Sequence, residues 1–490
     1  MSDALEDLAM PFPNLIADLQ RLLSDKAVVS DPSELRVYES DGFTIAKARP
    51  AAVIFPIGTA QVVEIVKLLN RHDVHIVPRG SGTGLAGGCV GFDNGVIVST
   101  ARMNRILQID LENHVAHVQA GVRHTQLSEA VAALPGGAGL HFAPDPSSQR
   151  ASTIGGNAAT NAGGIHTLKD FVSANHVFGI EMVLADGAVL HIGGENGSCE
   201  RGPIDLVGLV CGSEGTLGII TSLWVHLAPK PLAYRTIVGT FASSSDASSA
   251  VAQIIASGLL PAAMEMMDGQ MVRVVEEAFT FGLPANAEAL LLTEIDGIDE
   301  LLDEQARQIV EIHHKYNAIT VQSSGDAARR EYLWKVRKSA FGAIGRISQS
   351  YCTQDACVPQ SKLVEVLRRI DEIGREHGLR ITNVFHAGDG NVHPIFLYDD
   401  RDENQVQNTL RAAQKVLQFC VDIGGTITGE HGVGVEKIHL MPYLFDEPTM
   451  NLFGRVKRAF DPQEHINPGK MIASDKVKIR LLKPGRKVPQ

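Results

Sequence analysis

The run Val77-Pro-Arg-Gly-Ser-Gly-Thr-Gly-Leu-Ala-Gly-Gly88 constrains the fold more than any other stretch of the chain. It follows an apolar segment, Val74 to Val77, that reads as a strand, and Gly82-Thr-Gly84-Leu-Ala-Gly87 spells GxGxxG. A dinucleotide fold needs a helix opening on the last glycines, because the helix N-terminus holds the pyrophosphate. Here Cys89-Val-Gly-Phe-Asp-Asn-Gly95 and Val96-Ile-Val-Ser99 follow, which is turn and strand. The Rossmann reading is set aside on that ground. Successive glycines can still gather backbone N–H groups around an anion. Two more small, polar stretches resemble this loop in chemistry. One is Pro144-Asp-Pro-Ser-Ser-Gln-Arg150 with Thr153-Ile-Gly-Gly-Asn-Ala-Ala-Thr-Asn-Ala-Gly-Gly164; the other is Gly212-Ser-Glu-Gly-Thr-Leu-Gly218. Three such loops in one block of mixed strands imply a large, extended cofactor touched at several points.

Residues 51–228 alternate short apolar strands with glycine-rich turns. Ala52 to Phe55 reads as a strand and Thr59 to His72 as an amphipathic helix burying Val62, Val63, Ile65, Val66, Leu68 and Leu69. Hairpins are expected at Ile106 to Gln119, turning at Glu112-Asn113, and at Phe178 to Leu190, turning at Asp186-Gly187. A strand from Leu217 to Leu227 ends at Pro229 and Pro231. Beyond Arg235 the texture changes. Strands at Thr236–Phe241 and Ala289–Glu294 alternate with helices at 244–255, 299–316, 361–376, 402–422 and 448–460, the pattern of an α/β layer with helices on one face of a sheet.

The second chemical feature lies near the C-terminus: His386-Ala-Gly-Asp-Gly-Asn-Val-His393 and, later, Gly429-Glu430-His431-Gly432. In one continuous strand, positions seven apart face opposite ways. Gly388-Asp389-Gly390 favours a tight turn that folds the chain back and brings both imidazoles to one side. Two neutral imidazoles and the Glu430 carboxylate form a ligand set for a divalent transition metal (zinc, manganese or iron), with positions left for substrate.

Net charge narrows the partners. At −12 over 490 residues, the chain lacks the cationic face that nucleic acid requires, and its length calls for two or three domains. No apolar run is long enough for a membrane span, and the acidic N-terminus has no signal-peptide pattern. Six scattered cysteines without a CxxC pair fit a reducing cytoplasm. Lys476, Lys478, Arg480, Lys483, Arg486 and Lys487 make a basic tail that could dock on the inner face of a membrane or on another subunit.

Together these motifs resemble the vanillyl-alcohol-oxidase type of FAD flavoproteins. Within it the chain is similar to the glycolate oxidase and D-lactate dehydrogenase branch, from the PRGSGTGLAGG loop through HAGDGNVHP and GEHGVG to Asn467-Pro-Gly-Lys470. The resemblance implies an α+β fold: a two-lobed FAD-binding domain plus an α/β cap domain with an antiparallel sheet. The corresponding boundaries are an N-terminal helical segment at 1–45, the FAD domain at 46–228, the cap at 229–455, and a C-terminal segment at 456–490 that returns to the flavin. It further implies FAD contacts from Pro78, Arg79, Gly80, Ser81, Gly82, Thr83, Gly84 and Leu85 in the first loop. The second contributes Pro144, Asp145, Ser148, Thr153, Gly155, Gly156, Asn157, Thr160, Asn161 and Gly163. The third contributes Gly212, Glu214, Gly215, Gly218 and Ile219, and Asn467 comes from the last segment. Some relatives attach FAD through histidine or cysteine. Neither occurs from Pro78 to Gly88, so dissociable FAD is expected.

What the resemblance implies chemically is oxidation of a small D-2-hydroxy acid, D-lactate or glycolate, by hydride transfer to flavin N5. Arg337 is the expected cation for the substrate carboxylate, since guanidinium matches it bidentately. His431, beside a metal ligand, is the expected general base. Relatives acting on 2-hydroxyglutarate carry a lysine at about Thr353, and the glycolate oxidase branch often has arginine at Gln360. Both departures bear on the substrate. The electron acceptor stays open among a quinone, a cytochrome and an iron–sulfur partner subunit. Two other readings stay open as well: a metal-dependent hydrolase using only the His/His/Glu group, and a flavin-containing synthase without net redox.

Overall fold

A computed structural model describes residues 13–194 and 201–474. The basic tail beyond 475 and Cys199 lie outside the described residues. Among the described residues no helix is long and apolar enough to cross a membrane. The chain divides into two units. One takes in the residues up to Ala162, then Val172–Pro229 and the return from His431; the other takes in Gly163–Phe171 and Lys230–Glu430. The sequence placed the far end of the inserted unit at 455, and the structure ends it at Glu430.

In the first unit, Ala52–Ile54 and Ile76–Arg79 flank Val96–Ser99, both parallel to it, and Val28–Val29 pairs antiparallel at the edge. The glycine run connects Ile76–Arg79 to Val96–Ser99 through turns alone, as the absence of helical periodicity after Gly88 predicts. Helix Thr59–Arg71 closes one crossover and buries Val62, Ile65, Val66, Leu68 and Leu69; Val63 stays half-buried. A separate antiparallel sheet runs Ile106–Asp110, Val115–Gln119, Ile219–His226, Val177–Val183, Val189–Gly193. Both expected hairpins are edge pairs of it.

The second unit is built on one eight-stranded sheet. Its main path runs Ala318–Ser324, Ala233–Phe241, Ala289–Gly297, Ala263–Asp268, Arg380–His386, Asn391–Tyr398, Ser350–Thr353, with every pair antiparallel. Helices cover both faces, not one. Helices Gly269–Phe279, Ala327–Lys338 and Ala340–Ile347 pack with Val238, Leu290, Leu292, Val384 and Ile395 on one side. On the other, His313 of helix Asp299–Lys315 meets Phe241 and Gly239. The reason lies in the strands: Asn391–Tyr398 is buried at every position, so both of its faces need a cover.

Register then lays a polar row across the first of these faces. Thr236 pairs with Glu294, Glu265 with His386, Val384 with His393, and Thr353 with Ile395. Side chains directly opposite in an antiparallel pair share a face, as do positions two apart. Thr236, Glu294, Glu265, His386, His393 and Thr353 therefore line the side on which helix Ala327–Lys338 lies.

Candidate active site

The hairpin of Arg380–His386 and Asn391–Tyr398 turns through Ala387 to Gly390, where Gly390 has φ +77° and a Cβ would stand 2.1 Å from the Val358 carbonyl oxygen. Only glycine meets both demands. The turn brings the two imidazoles onto one face with ring centroids 5.1 Å apart, edge to face. Glu430 completes the group. Its Oε1 lies 3.3 Å from His386 Nε2 and 3.4 Å from His393 Nε2, and one ligand atom from each residue falls within 4.8 Å of the others. With both rings neutral, two nitrogen lone pairs and a carboxylate oxygen would form an acceptor-rich spot that suits a divalent cation. The donor set fits the metal that the sequence suggests, and His386, His393 and Glu430 would hold it.

Two carboxylates that sequence reasoning missed support this group. Asp355, fully buried, accepts from Thr428 Oγ1 at 2.5 Å, Gly429 N at 2.8 Å and Glu430 N at 3.1 Å, and its Oδ1 lies 3.5 Å from His393 Nε2. Glu265, also fully buried, sets Oε1 2.5 Å from His386 Nδ1. Its Oε2 takes Nε and Nη2 of Arg337, each at 2.8 Å. Burial alone pushes the Glu265 carboxyl up, but the His386 ring and the Arg337 guanidinium outweigh it and hold it below the usual range. Burial likewise opposes charge on His386, while Glu265 and Glu430 drive its pKa well above the ordinary value. Arg337 is thus buried and partly engaged, with Nη1 outside the Glu265 pair. Thr353 is buried on the same face, and its hydroxyl has no hydrogen-bond partner among the described residues. Gln360 donates Nε2 to the Gly388 carbonyl in the hairpin turn. One lone acid in the apolar run Ala263-Met-Glu-Met-Met267 was the signal that could have found Glu265.

In the first unit the glycine segments converge. Ser81 Oγ donates to Ala151 O at 2.5 Å, joining the loop Gly80–Leu85 to the stretch that holds Pro144, Asp145 and Ser148. Helix Ile154–Thr160, capped by Thr153 and ended by Asn161, receives Gly212 N on Ala158 O and Glu214 N on Ala159 O. Asn467 Nδ2 donates to Gly88 O at 3.0 Å and Glu214 O at 2.8 Å. Gly215 follows Glu214, and Gly218 leads into Ile219 at the start of its strand. Pro78 and Arg79 end theirs. Asn157 Nδ2 is buried with no partner among the described residues, a donor left for a bound group. The linked loops and this donor fit an extended cofactor.

Three of the expected residues have interactions of their own within the protein. Arg79 spends its guanidinium on Ser40 O and Cys89 O, and Glu214 spends its carboxylate on Val433 N and Gly434 N, both at 2.7 Å. Gly163 belongs to the second unit, where a Cβ on it would lie 3.1 Å from Glu430 Oε2. His431 is half-buried and opens the return into the first unit.

Residues 230–471 match the family described as FAD linked oxidases, C-terminal domain, and residues 50–193 match the FAD binding domain. The glycolate oxidase subunit GlcD of Escherichia coli K12 is 40% identical over 445 residues, covering 91% of this chain and 88% of the relative. The chain belongs to the FAD-linked oxidase family. The D-lactate dehydrogenase of Archaeoglobus fulgidus is another relative, 34% identical across 86% of this chain and 91% of its own. Among solved structures, 4-ethylphenol oxidase from Gulosibacter chungangensis shares the fold, with TM-score 0.79 at 20% identity over 96% of this chain and 99% of that one. The chain is an FAD-linked oxidoreductase.

Proposed function

We propose that the chain is an FAD-dependent dehydrogenase that oxidises a small 2-hydroxy acid, D-lactate or glycolate, to the 2-oxo acid. The observation that carries this reading is the meeting, on one sheet face, of a His386/His393/Glu430 ligand set with the buried guanidinium of Arg337. Relatives named as a glycolate oxidase component and as D-lactate dehydrogenase support it. When bound, FAD supplies the two-electron acceptor, and a divalent metal supplies Lewis acidity toward the substrate hydroxyl. His386 and His393 would hold that metal through Nε2 and Glu430 through a carboxylate oxygen. Arg337 receives the substrate carboxylate through the Nη1 group that Glu265 leaves out. His431, whose imidazole can accept a proton, takes the hydroxyl proton. With no histidine or cysteine from Pro78 to Gly88, the flavin is held without a covalent bond.

An anaerobic titration tests the reading. D-lactate or glycolate should bleach the flavin band, and acid precipitation should release yellow flavin into the supernatant. Flavin that no 2-hydroxy acid bleaches, with metal present, would overturn the proposed reaction.

A further inference from the structure

Glu265 sits in the strand Ala263–Asp268 with no exposed surface, and its two oxygens serve two different masters. Oε1 faces His386 Nδ1 at 2.5 Å, while Oε2 faces both Nε and Nη2 of Arg337 at 2.8 Å. Under the function proposed above, on which this inference rests, those partners hold the metal and the substrate carboxylate. We propose that Glu265 is one positioning residue shared by both: it fixes which nitrogen of His386 can ligate and which edge of Arg337 can bind substrate.

The argument is one of donors and acceptors. A neutral imidazole has one N–H and one lone pair, and a carboxylate facing Nδ1 keeps the proton there, leaving Nε2 for the metal. Nε2 is the nitrogen that points to Glu430. For Arg337, two N–H groups on a single oxygen restrain rotation of the guanidinium plane and leave Nη1 outside the Glu265 pair. Both contacts come from donors, so the residue between them must accept on both sides. Glutamate does so. Glutamine has one acceptor oxygen, and its NH₂ group would confront either His386 or Arg337. Sheet register fixes the geometry further, because Glu265 and His386 are directly opposed across the strand pair.

The test compares Glu265→Gln with the double substitution Glu265→Gln/Arg337→Met in the full chain, reading Zn²⁺ affinity by chelator competition, flavin content, and KM for D-lactate. Glu265→Gln should keep its flavin, bind Zn²⁺ about 10- to 100-fold more weakly, and show a raised KM. In the double variant the amide oxygen has only His386 to serve. Zn²⁺ affinity should return to within about threefold of wild type, while KM stays high. Glu265→Asp keeps the charge, draws the carboxylate back by one methylene, and serves if the amide variant does not fold. Its expected loss is at least about threefold in Zn²⁺ affinity. Wild-type affinity and KM in Glu265→Gln, or a double variant no tighter than the single one, would overturn the shared role alone. A wild-type chain that binds no Zn²⁺, Mn²⁺ or Fe²⁺ would overturn the metal reading and this inference with it.

Discussion

The two units differ in what many of their buried polar side chains grip. In the first, buried titratable side chains mainly grip backbone. Glu214 takes Val433 N and Gly434 N, Lys470 donates to the carbonyls of Gly88 and Val90, Lys457 to those of Thr216 and Ile466, and Arg79 to those of Ser40 and Cys89. In the second, they grip one another: Glu265 with His386 and Arg337, Glu430 with both histidines, Glu294 with Arg330 and Trp334. The first pattern sets the path of loops, and loop path is what a large cofactor reads. The second holds groups with lone pairs and charge near one another, and that is where protons and substrate charge can be managed. One unit offers its main chain and the other its side chains.

Four experiments press on this contrast. The largest effect should come from Gly434→Ala. Gly434 has φ +49° and a Cβ there would lie 1.9 Å from the Ala86 carbonyl oxygen, so the gripped path cannot survive. We expect purified protein without flavin and a first unit destabilised by about 4 kcal/mol or more; normal flavin content would break the loop-path half of the comparison. Next, His393→Ala should retain flavin yet lose metal and on the order of a thousandfold in kcat, about 4 kcal/mol of barrier. Elemental analysis and turnover, measured together, decide it, and full activity would end the metal proposal.

Third is Glu294→Gln. Burial raises the Glu294 carboxyl, but bonds from His166, Thr236, Trp334 and Arg330 prevail and bring its pKa to about 2, against an ordinary 4.5. A carboxylate depressed in the folded state adds stability above its unfolded pKa and loses it as pH falls through the folded value. The interval corresponds to about 3 kcal/mol. Denaturant melts should show a gap of that size between wild type and variant at pH 7, shrinking as pH falls from 4.5 toward 2. A pH-independent gap would mean that packing, not charge, makes the difference. Smallest is Thr353→Lys. D-lactate and glycolate should outperform D-2-hydroxyglutarate in kcat/KM, and the lysine should narrow that lead by about tenfold. If D-2-hydroxyglutarate leads in the unmodified chain, another cation such as Lys335 or Lys338 serves its second carboxylate.

What could be read from the chain followed the same divide. Glycine segments declare themselves because a sharp path excludes side chains, and the His386–His393 hairpin was legible because its turn lies between its two histidines. Glu265 acts on a histidine 121 residues away, and Asp355 on a loop 74 residues away. Neither pairing leaves a local pattern. The second helical layer escaped for a related reason: amphipathic spacing shows that a helix has an apolar stripe but not which sheet face receives it. The side-chain partners of Arg79 and Glu214 were not legible, since sequence does not say whether a charge there meets a ligand or a backbone group.

The tie between the strand Ile76–Arg79 and the C-terminal return has a consequence for the order of events during synthesis. Ile76 N donates to His465 O at 2.8 Å, Asn467 N returns to Ile76 O at 2.7 Å, and Lys470 reaches Val90 across 380 residues of chain. At about 5–20 residues per second, a ribosome needs roughly 20 to 80 s to cover that interval. All strands of the inserted sheet emerge within it, so that unit can close while the first still waits for its clasp. A chain halted just after Glu430 would carry His386, His393, Glu265 and Arg337, but neither His431 nor the Ile76–His465 and Asn467–Ile76 hydrogen bonds that clasp the first unit.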